Sequence, residues 1–262
     1  MSLPLIPFGA LRLASPGDLL RIGIVAAAGF RYSPVFDWER PYHEEYPGDT
    51  LLSYRQEFSS VMKDENYAVL VAVDHFDPME HEKTKAIIPQ DNGWDAPAAG
   101  EEVVVGVGCW KLEPGSKRIG EFQNDTGPYP SLPPNQNQDQ EQKHGELFGD
   151  RMGPIEKRYF HGYSTMDMLV VHPAYWRRGH GTTLGKWGLD LARIDGVKQG
   201  VMAASSGKKL YTSMGYTNLE DVHIDGDEIT PDGVTISAMV FEPGNGEGSA
   251  HGETAQIGSA EL

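Results

Sequence analysis

The chain has 262 residues, 39% of them hydrophobic, with a formal net charge of −16 and a single cysteine. That bounds the protein to one large or two small domains, and its longest apolar run near the start, residues 22–28, is far too short to span a bilayer. So large an acidic excess excludes phosphate backbones as natural partners and suits either a solvated surface or a cationic small molecule.

Leu11–Leu13 reads as a short strand. Ser15-Pro16-Gly17-Asp18 then supplies an N-cap serine, a proline in the first turn and an acid three residues after the cap, so a helix is expected over Leu19–Phe30. Residues 31–50 carry prolines, aromatics and acids without periodicity, and Leu52–Lys63 reads as a second helix. Tyr67–Val73 and Val103–Leu112 are rich in β-branched residues and read as neighbouring strands separated by a polar insertion, about 74–101. A longer insertion, about 113–160, contains PPNQNQDQEQKHGE and has too few apolar residues to order itself, so it reads as loop or partly disordered. Strand character returns over 163–171. A helical period follows, with Leu184, Trp187, Leu191 and Ile194 on one face. Gly200–Ala204 is a short strand, and Ser205 or Ser206 caps a short helix carrying Leu210, Tyr211 and Met214, closed by Gly215. Val222–Ile224 and Thr235–Phe241 are the last strands, and the glycine-rich end from 243 reads as a flexible tail. The order β-α-α-β-β-(insertion)-β-α-β-α-β-β describes a mixed α/β chain, expected as one domain over residues 1–242. Lone Cys109 cannot form an internal disulfide, and the first ten residues lack the basic and apolar run of a leader, so a reducing cytoplasm is the expected compartment.

The stretch VVHPAYWRRGHGTTL, residues 170–184, concentrates the chemistry. A helix N-terminus leaves backbone N–H groups unpartnered and partly positive, glycines let a phosphate approach them, and Arg177 and Arg178 add charge. Arg178-Gly179-His180-Gly181-Thr182 is therefore a candidate pyrophosphate cradle. Taken alone it reads first as a tight turn with two solvated arginines. A dinucleotide site fits poorly: seven residues separate Val171 from Gly179, and Gly179-x-Gly181-x-x-x-Gly185 misses the usual spacing.

MLVVHPAYWRRGHGTTL resembles the acyl-coenzyme A signature of the GNAT superfamily of N-acetyltransferases, V-x-P followed by [QR]-x-x-G-x-[GA]. GKKLYTSMGY, about 30 residues on, is similar to that family's L-Y-x-x-x-G-[FY] segment. Both motifs stand in the expected order, the resemblance covers most of the chain outside the insertions and tail, and its style is similar to fungal members. One residue departs: Trp176 stands where Gln or Arg is usual, with Arg177 the nearest substitute.

The resemblance implies a central, mostly antiparallel twisted sheet flanked by helices, with strands 4 and 5 splayed. It implies transfer of an acetyl group from acetyl-CoA to an amine, without a metal. Pantetheine would pair with the backbone of Met168, Leu169, Val170 and Val171, where the N–H of Val170 is the expected oxyanion donor. The pyrophosphate would meet Arg177, Arg178, Gly179, His180, Gly181, Thr182 and Thr183. Asp167 matches a base position of the family and Tyr211 its general-acid tyrosine. Read from the residues alone, Asp167 is equally a solvent-facing acid that holds a cation, and Tyr211 a core tyrosine. His161, His172 and His180 lack metal-ligand spacing and read as surface or loop residues. Trp38, Tyr42, Glu44, Glu45 and Tyr46 lie where the family builds its acceptor pocket and would suit a cationic amine, and they read equally as ordinary loop packing. The expected partner is a small-molecule amine, with a peptide acceptor or a non-catalytic acyl-CoA binder as alternatives. The oligomeric state stays open, a homodimer included.

Overall fold

The computed structural model describes residues 4–244. Seven strands form one sheet: β1 (Leu11–Leu13), β2 (Tyr67–His75), β3 (Glu102–Lys111), β4 (Ser164–Val171), β5 (Gln199–Ala204), β6 (Thr217–Ile224) and β7 (Val234–Phe241). Their order is β1-β2-β3-β4-β5-β7-β6, antiparallel throughout except for the parallel pair β4–β5. Among the described residues six α-helices accompany them: α1 (Leu19–Phe30), α2 (Pro34–Glu39), α3 (Pro47–Lys63), α4 (Gln142–Tyr159), α5 (His180–Asp195) and α6 (Ser205–Ser213). The mixed α/β architecture with flanking helices is the expected one.

Both faces of the sheet are covered, which is why β2 and β3 read as unbroken apolar runs. Along β2, Ala68, Leu70 and Ala72 pack with Leu184, Trp187 and Leu191 of α5. Val69 and Val71 point the other way, into Ile22 and Val25 of α1 and Phe58 of α3. Alternation with period two thus feeds two cores from one strand. The entry into α1 works as the sequence implies, with the Asp18 carboxylate accepting from the Ser15 N–H and hydroxyl, both at 2.7 Å. On α5, Ile194 departs from expectation. It is 37% exposed, because the buried stripe turns instead through Leu189 and Ala192. β6 starts at Thr217, five residues before the expected strand, and its first half is largely exposed.

The stretch 113–160 is a loop only as far as residue 141. It ends in the 18-residue helix α4, whose His144, Met152 and Ile155 are buried. These few groups pack with Trp38 of α2 and with Ile224, Ile236 and Ala238 of the far strands. Upstream of α4, the buried Arg40–Asp139 ion pair ties the stretch to α2, and Asp139 also accepts from Thr50 of α3. Arg118 anchors its other end to Asp195 and Glu121. Low apolar content hid this order because a narrow apolar stripe and a few buried polar groups, not a broad apolar face, carry the packing. The expected tail lies, from residue 245 on, outside the described residues.

Candidate functional site

The β4–β5 ladder is short. It pairs Ser164 with Gln199, Thr165 with Gly200 and Met166 with Val201, then stops, while β4 continues to Val171 and β5 to Ala204. The strands part, as the splayed arrangement requires, and open a gap in the sheet. On the closed side, the His172 N–H donates to Val105 O at 2.9 Å and Val171 stands opposite Gly106. Antiparallel ladders alternate, so the main-chain groups of Val170 and Met168 face β3, and those of Leu169 and Val171 face the gap. This corrects the expected oxyanion donor: the Val170 N–H is turned into the ladder, and Leu169 and Val171 present the open edge. Gly29 of α1 backs this edge. A Cβ there would lie 2.3 Å from Val170 Cγ2 and 2.7 Å from Val171 O, so only glycine lets α1 pass so close.

Beyond β4 the chain turns through Pro173–Tyr175 and enters α5 with Gly179 as N-cap at φ 90°, after Arg177 at φ 62°. A left-handed arginine is a strained choice, costing about 1–2 kcal/mol. No side chain caps α5. Its first-turn amides at His180, Gly181 and Thr182 are left for a ligand. Thr183 is different: its N–H and hydroxyl both donate to Gly179 O, at 2.9 and 3.1 Å.

The two arginines divide. Arg178 is folded back, donating to Asp74 at 3.0 Å and to Ala174 O at 3.3 Å, with its guanidinium 5.0 Å from the Tyr175 ring centre. His180 Nε2 shares the same Asp74 oxygen at 3.0 Å. Burial acts to raise the Asp74 carboxyl, but hydrogen bonds from His180, the His75 amide and Arg178 outweigh it and bring it down to about 2. Arg177 is exposed and has no ion-pair partner among the described residues. Its guanidinium stands open to solvent just before α5. The loop is braced from below by a buried group: Tyr175 donates to Glu80 at 2.9 Å, and Glu80 forms a two-pronged ion pair with Arg21. His172, expected at the surface, is instead only 1% exposed beside this pair, and burial drives it down to about 4. His161 is exposed.

Across the gap, α6 starts directly from the end of β5 and carries Tyr211. The ring is buried against Tyr216, its hydroxyl has no hydrogen-bond partner among the described residues, and burial raises it, so it stays protonated. Gly185 of α5 makes room for Met214 at the C-terminus of α6, where a Cβ would meet Met214 Cε at 2.6 Å.

Asp167 sits where β4 leaves β5. It is solvent-accessible and accepts from Thr165 Oγ1 at 2.6 Å. Burial by the surrounding elements raises its carboxyl, against the lowering effect of the Thr165 and Tyr67 hydroxyls. Its charge is felt by Glu57 of α3 and Glu156 of α4, and Glu57 in turn acts on Glu39 of α2. All three glutamates are raised, first by burial. Carboxyls from four elements are thus linked in a chain, Glu39 to Glu57 to Asp167 to Glu156, with the cations Arg40 and Lys111 beside them. Of the residues expected to build an acceptor pocket, Trp38 alone is withdrawn into the core. Trp38 is buried under His144 with ring centres 4.0 Å apart, Tyr42 bonds Glu141 at 3.2 Å, and Glu44, Glu45 and Tyr46 are exposed on the α2–α3 connection. Glu39, Glu57, Glu156 and Asp74 carried no local signal, because each gains its meaning from a partner on another element. Among the described residues no group of three or more His, Cys, Asp or Glu is arranged to hold a metal ion, and no helix is long and apolar enough to cross a membrane.

No protein-family model matches the chain. A protein of Stachybotrys chartarum named acetyltransferase is 33% identical over 239 residues, covering 91% of this chain and 93% of that one. An uncharacterized N-acetyltransferase of Staphylococcus saprophyticus is 31% identical over 93 residues, 32% of this chain and 61% of its own length. The fold is similar to a Corynebacterium glutamicum structure described as histone acetyltransferase HPA2 and related acetyltransferase, with a TM-score of 0.50 and 16% identity over 91% of this chain and 98% of that one. An acyl-CoA cosubstrate goes with this fold, and the free amides of α5 and the open edge of β4 fit one. With a fungal relative alike along nearly its whole length and the splayed β4–β5 pair in place, the chain belongs to the GNAT superfamily of acyltransferases.

Proposed function

We propose that this protein transfers an acetyl group from acetyl-CoA to the amine of a small cationic molecule, in a ternary complex, as one acyltransferase domain at work in the cytoplasm. The observation that carries the acceptor class is the set of carboxyls around Asp167, where β4 leaves β5, short of the strand end that leads into the anion cradle. An ammonium group is drawn to such a surface.

The cosubstrate supplies an acyl group activated as a thioester, and the chain's residues do the rest. Amides 180–182 and Arg177 hold its phosphates. The Leu169 N–H, turned into the gap, donates to the thioester oxygen as negative charge grows there. Asp167, through a water, takes the proton the amine must lose, and its raised pKa brings it closer to the amine's own. As the N–C bond forms and the C–S bond breaks, the Tyr211 hydroxyl gives its proton to the leaving sulfur and is reprotonated from solvent.

A thiol-release assay with acetyl-CoA and a panel of amines graded by charge tests this. Turnover is expected with cationic small amines, with KM rising as salt screens the carboxyls. Turnover confined to peptide N-termini or lysines would overturn the acceptor class. Binding of acetyl-CoA without turnover of any amine would point to a binding protein.

A further inference from the structure

The gap-facing edge of β4 offers two N–H and two C=O groups, from Leu169 and Val171. One of the four is already taken. Trp176 Nε1 donates to Val171 O at 2.7 Å, although the side chain is 44% exposed. The ring has one other perch, an edge-on contact with Tyr32, ring centres 4.9 Å apart and planes at 67°. Tyr32 is itself held by the loop after β2, where its hydroxyl donates to Lys83 O at 3.2 Å. One hydrogen bond and one edge contact on an exposed ring are breakable restraints.

The turn does not need the indole to close. Tyr175 N–H donates to His172 O at 2.9 Å and Trp176 N–H to Pro173 O at 3.2 Å. The Tyr175 hydroxyl is clamped between Glu80 and the Asp77 N–H. The indole N–H is therefore surplus to the loop and spent at the mouth of the gap. An acyl-CoA lying along this edge carries amide N–H groups of its own that would compete for the same carbonyl.

We infer that Trp176 is a displaceable gate at the phosphate end of the gap: closed, its indole occupies the Val171 carbonyl, and the amide of an incoming acyl-CoA displaces it. This rests on the acyl-CoA reading above. It makes Trp176 a residue that sets cofactor affinity and entry rate and takes no part in the chemistry.

The test compares wild type, Trp176→Phe and Tyr32→Leu. Phe keeps the ring and its perch but cannot donate, and Leu removes the perch without touching β4. Acetyl-CoA affinity is read by calorimetry, association by stopped flow, and folding by melting temperature. Trp176→Phe is expected to bind about 2- to 10-fold tighter, the range one recovered neutral hydrogen bond spans, with faster association and an unchanged kcat. Tyr32→Leu is expected to shift in the same direction. Wild type should show an indole emission change on saturation that Trp176→Phe lacks. Unchanged or weaker binding by Trp176→Phe, or weaker binding together with a lower melting temperature, would overturn the gate and make the indole a turn clamp. Failure of wild type to bind acetyl-CoA at all would overturn the cofactor reading first and the gate with it.

Discussion

The two halves of the proposed site are built from different material. On the side proposed for the cofactor the groups are main chain: amides at the start of α5, the open edge of β4, and a turn strained at Arg177 to bring them together. On the side proposed for the acceptor they are side chains, Glu39, Glu57, Glu156 and Asp167, delivered by α2, α3, α4 and β4 from positions up to 128 residues apart. A main-chain site writes itself into contiguous sequence, because turn geometry and close approach demand particular residues at particular spacings. A side-chain site assembled across the fold leaves no local trace. The comparison also predicts how each side fails: the first through backbone geometry, the second through charge and through whatever holds its elements in place.

The largest expected effect falls at Tyr211. Tyr211→Phe keeps the buried ring and removes the proton, so kcat should drop by about 10²–10⁴-fold with little change in acetyl-CoA affinity, read from steady-state kinetics and titration. A normal kcat would make Tyr211 a core residue only. Next comes the support of the acceptor side. Replacing 131–141 with a Gly/Ser linker deletes Asp139 and strands buried Arg40, which should cost about 3–5 kcal/mol in a urea titration; a surface loop would lose almost nothing. Gly29→Ala probes the cofactor side through packing alone. The new methyl collides with Val170 and Val171, so stability should fall by about 1–3 kcal/mol and acetyl-CoA binding should weaken with it. Arg177→Gly separates strain from charge at one residue. It should raise stability by about 1 kcal/mol while weakening acetyl-CoA binding, opposite signs that a merely structural arginine would not give. The gentlest test is pH. Asp167 must be deprotonated to act as base and its carboxyl is raised, so kcat/KM should climb with pH above the ordinary carboxylate range, and Asp167→Asn should flatten that limb. Stability has its own acid dependence at Asp74. Its folded pKa is depressed to about 2, so its contribution is present above the ordinary carboxylate range and is lost as pH falls toward that value.

The central strands were legible because burial on both faces makes them unbroken apolar, β-branched runs, α1 and α6 because cap residues mark them, α5 because of its 3.6-residue period, and the cradle because glycines mark it. Helix α4 was not. Its stripe His144, Phe148, Met152, Ile155, Tyr159 has helical spacing, but three glycines and Pro154 share the segment, and one contact of the stripe is a histidine stacked on Trp38. The assignment of Val170 as oxyanion donor failed for a related reason: which amides of β4 face the gap depends on its register against β3, and register is a property of the pair. Arg178 looked equivalent to Arg177 until Asp74, 104 residues away, claimed it.

The measurement that bears most directly on the cofactor site is a calorimetric titration of acetyl-CoA into wild type and Gly181→Glu. A Cβ at Gly181 meets nothing closer than 3.8 Å and its φ is not positive, so the variant should fold, as circular dichroism can verify. The new carboxylate would stand among the free amides of α5, block them and repel phosphate, and binding should weaken by several kcal/mol, about a hundredfold or more in Kd. Unchanged affinity in a folded Gly181→Glu protein would place the cofactor elsewhere and contradict the account.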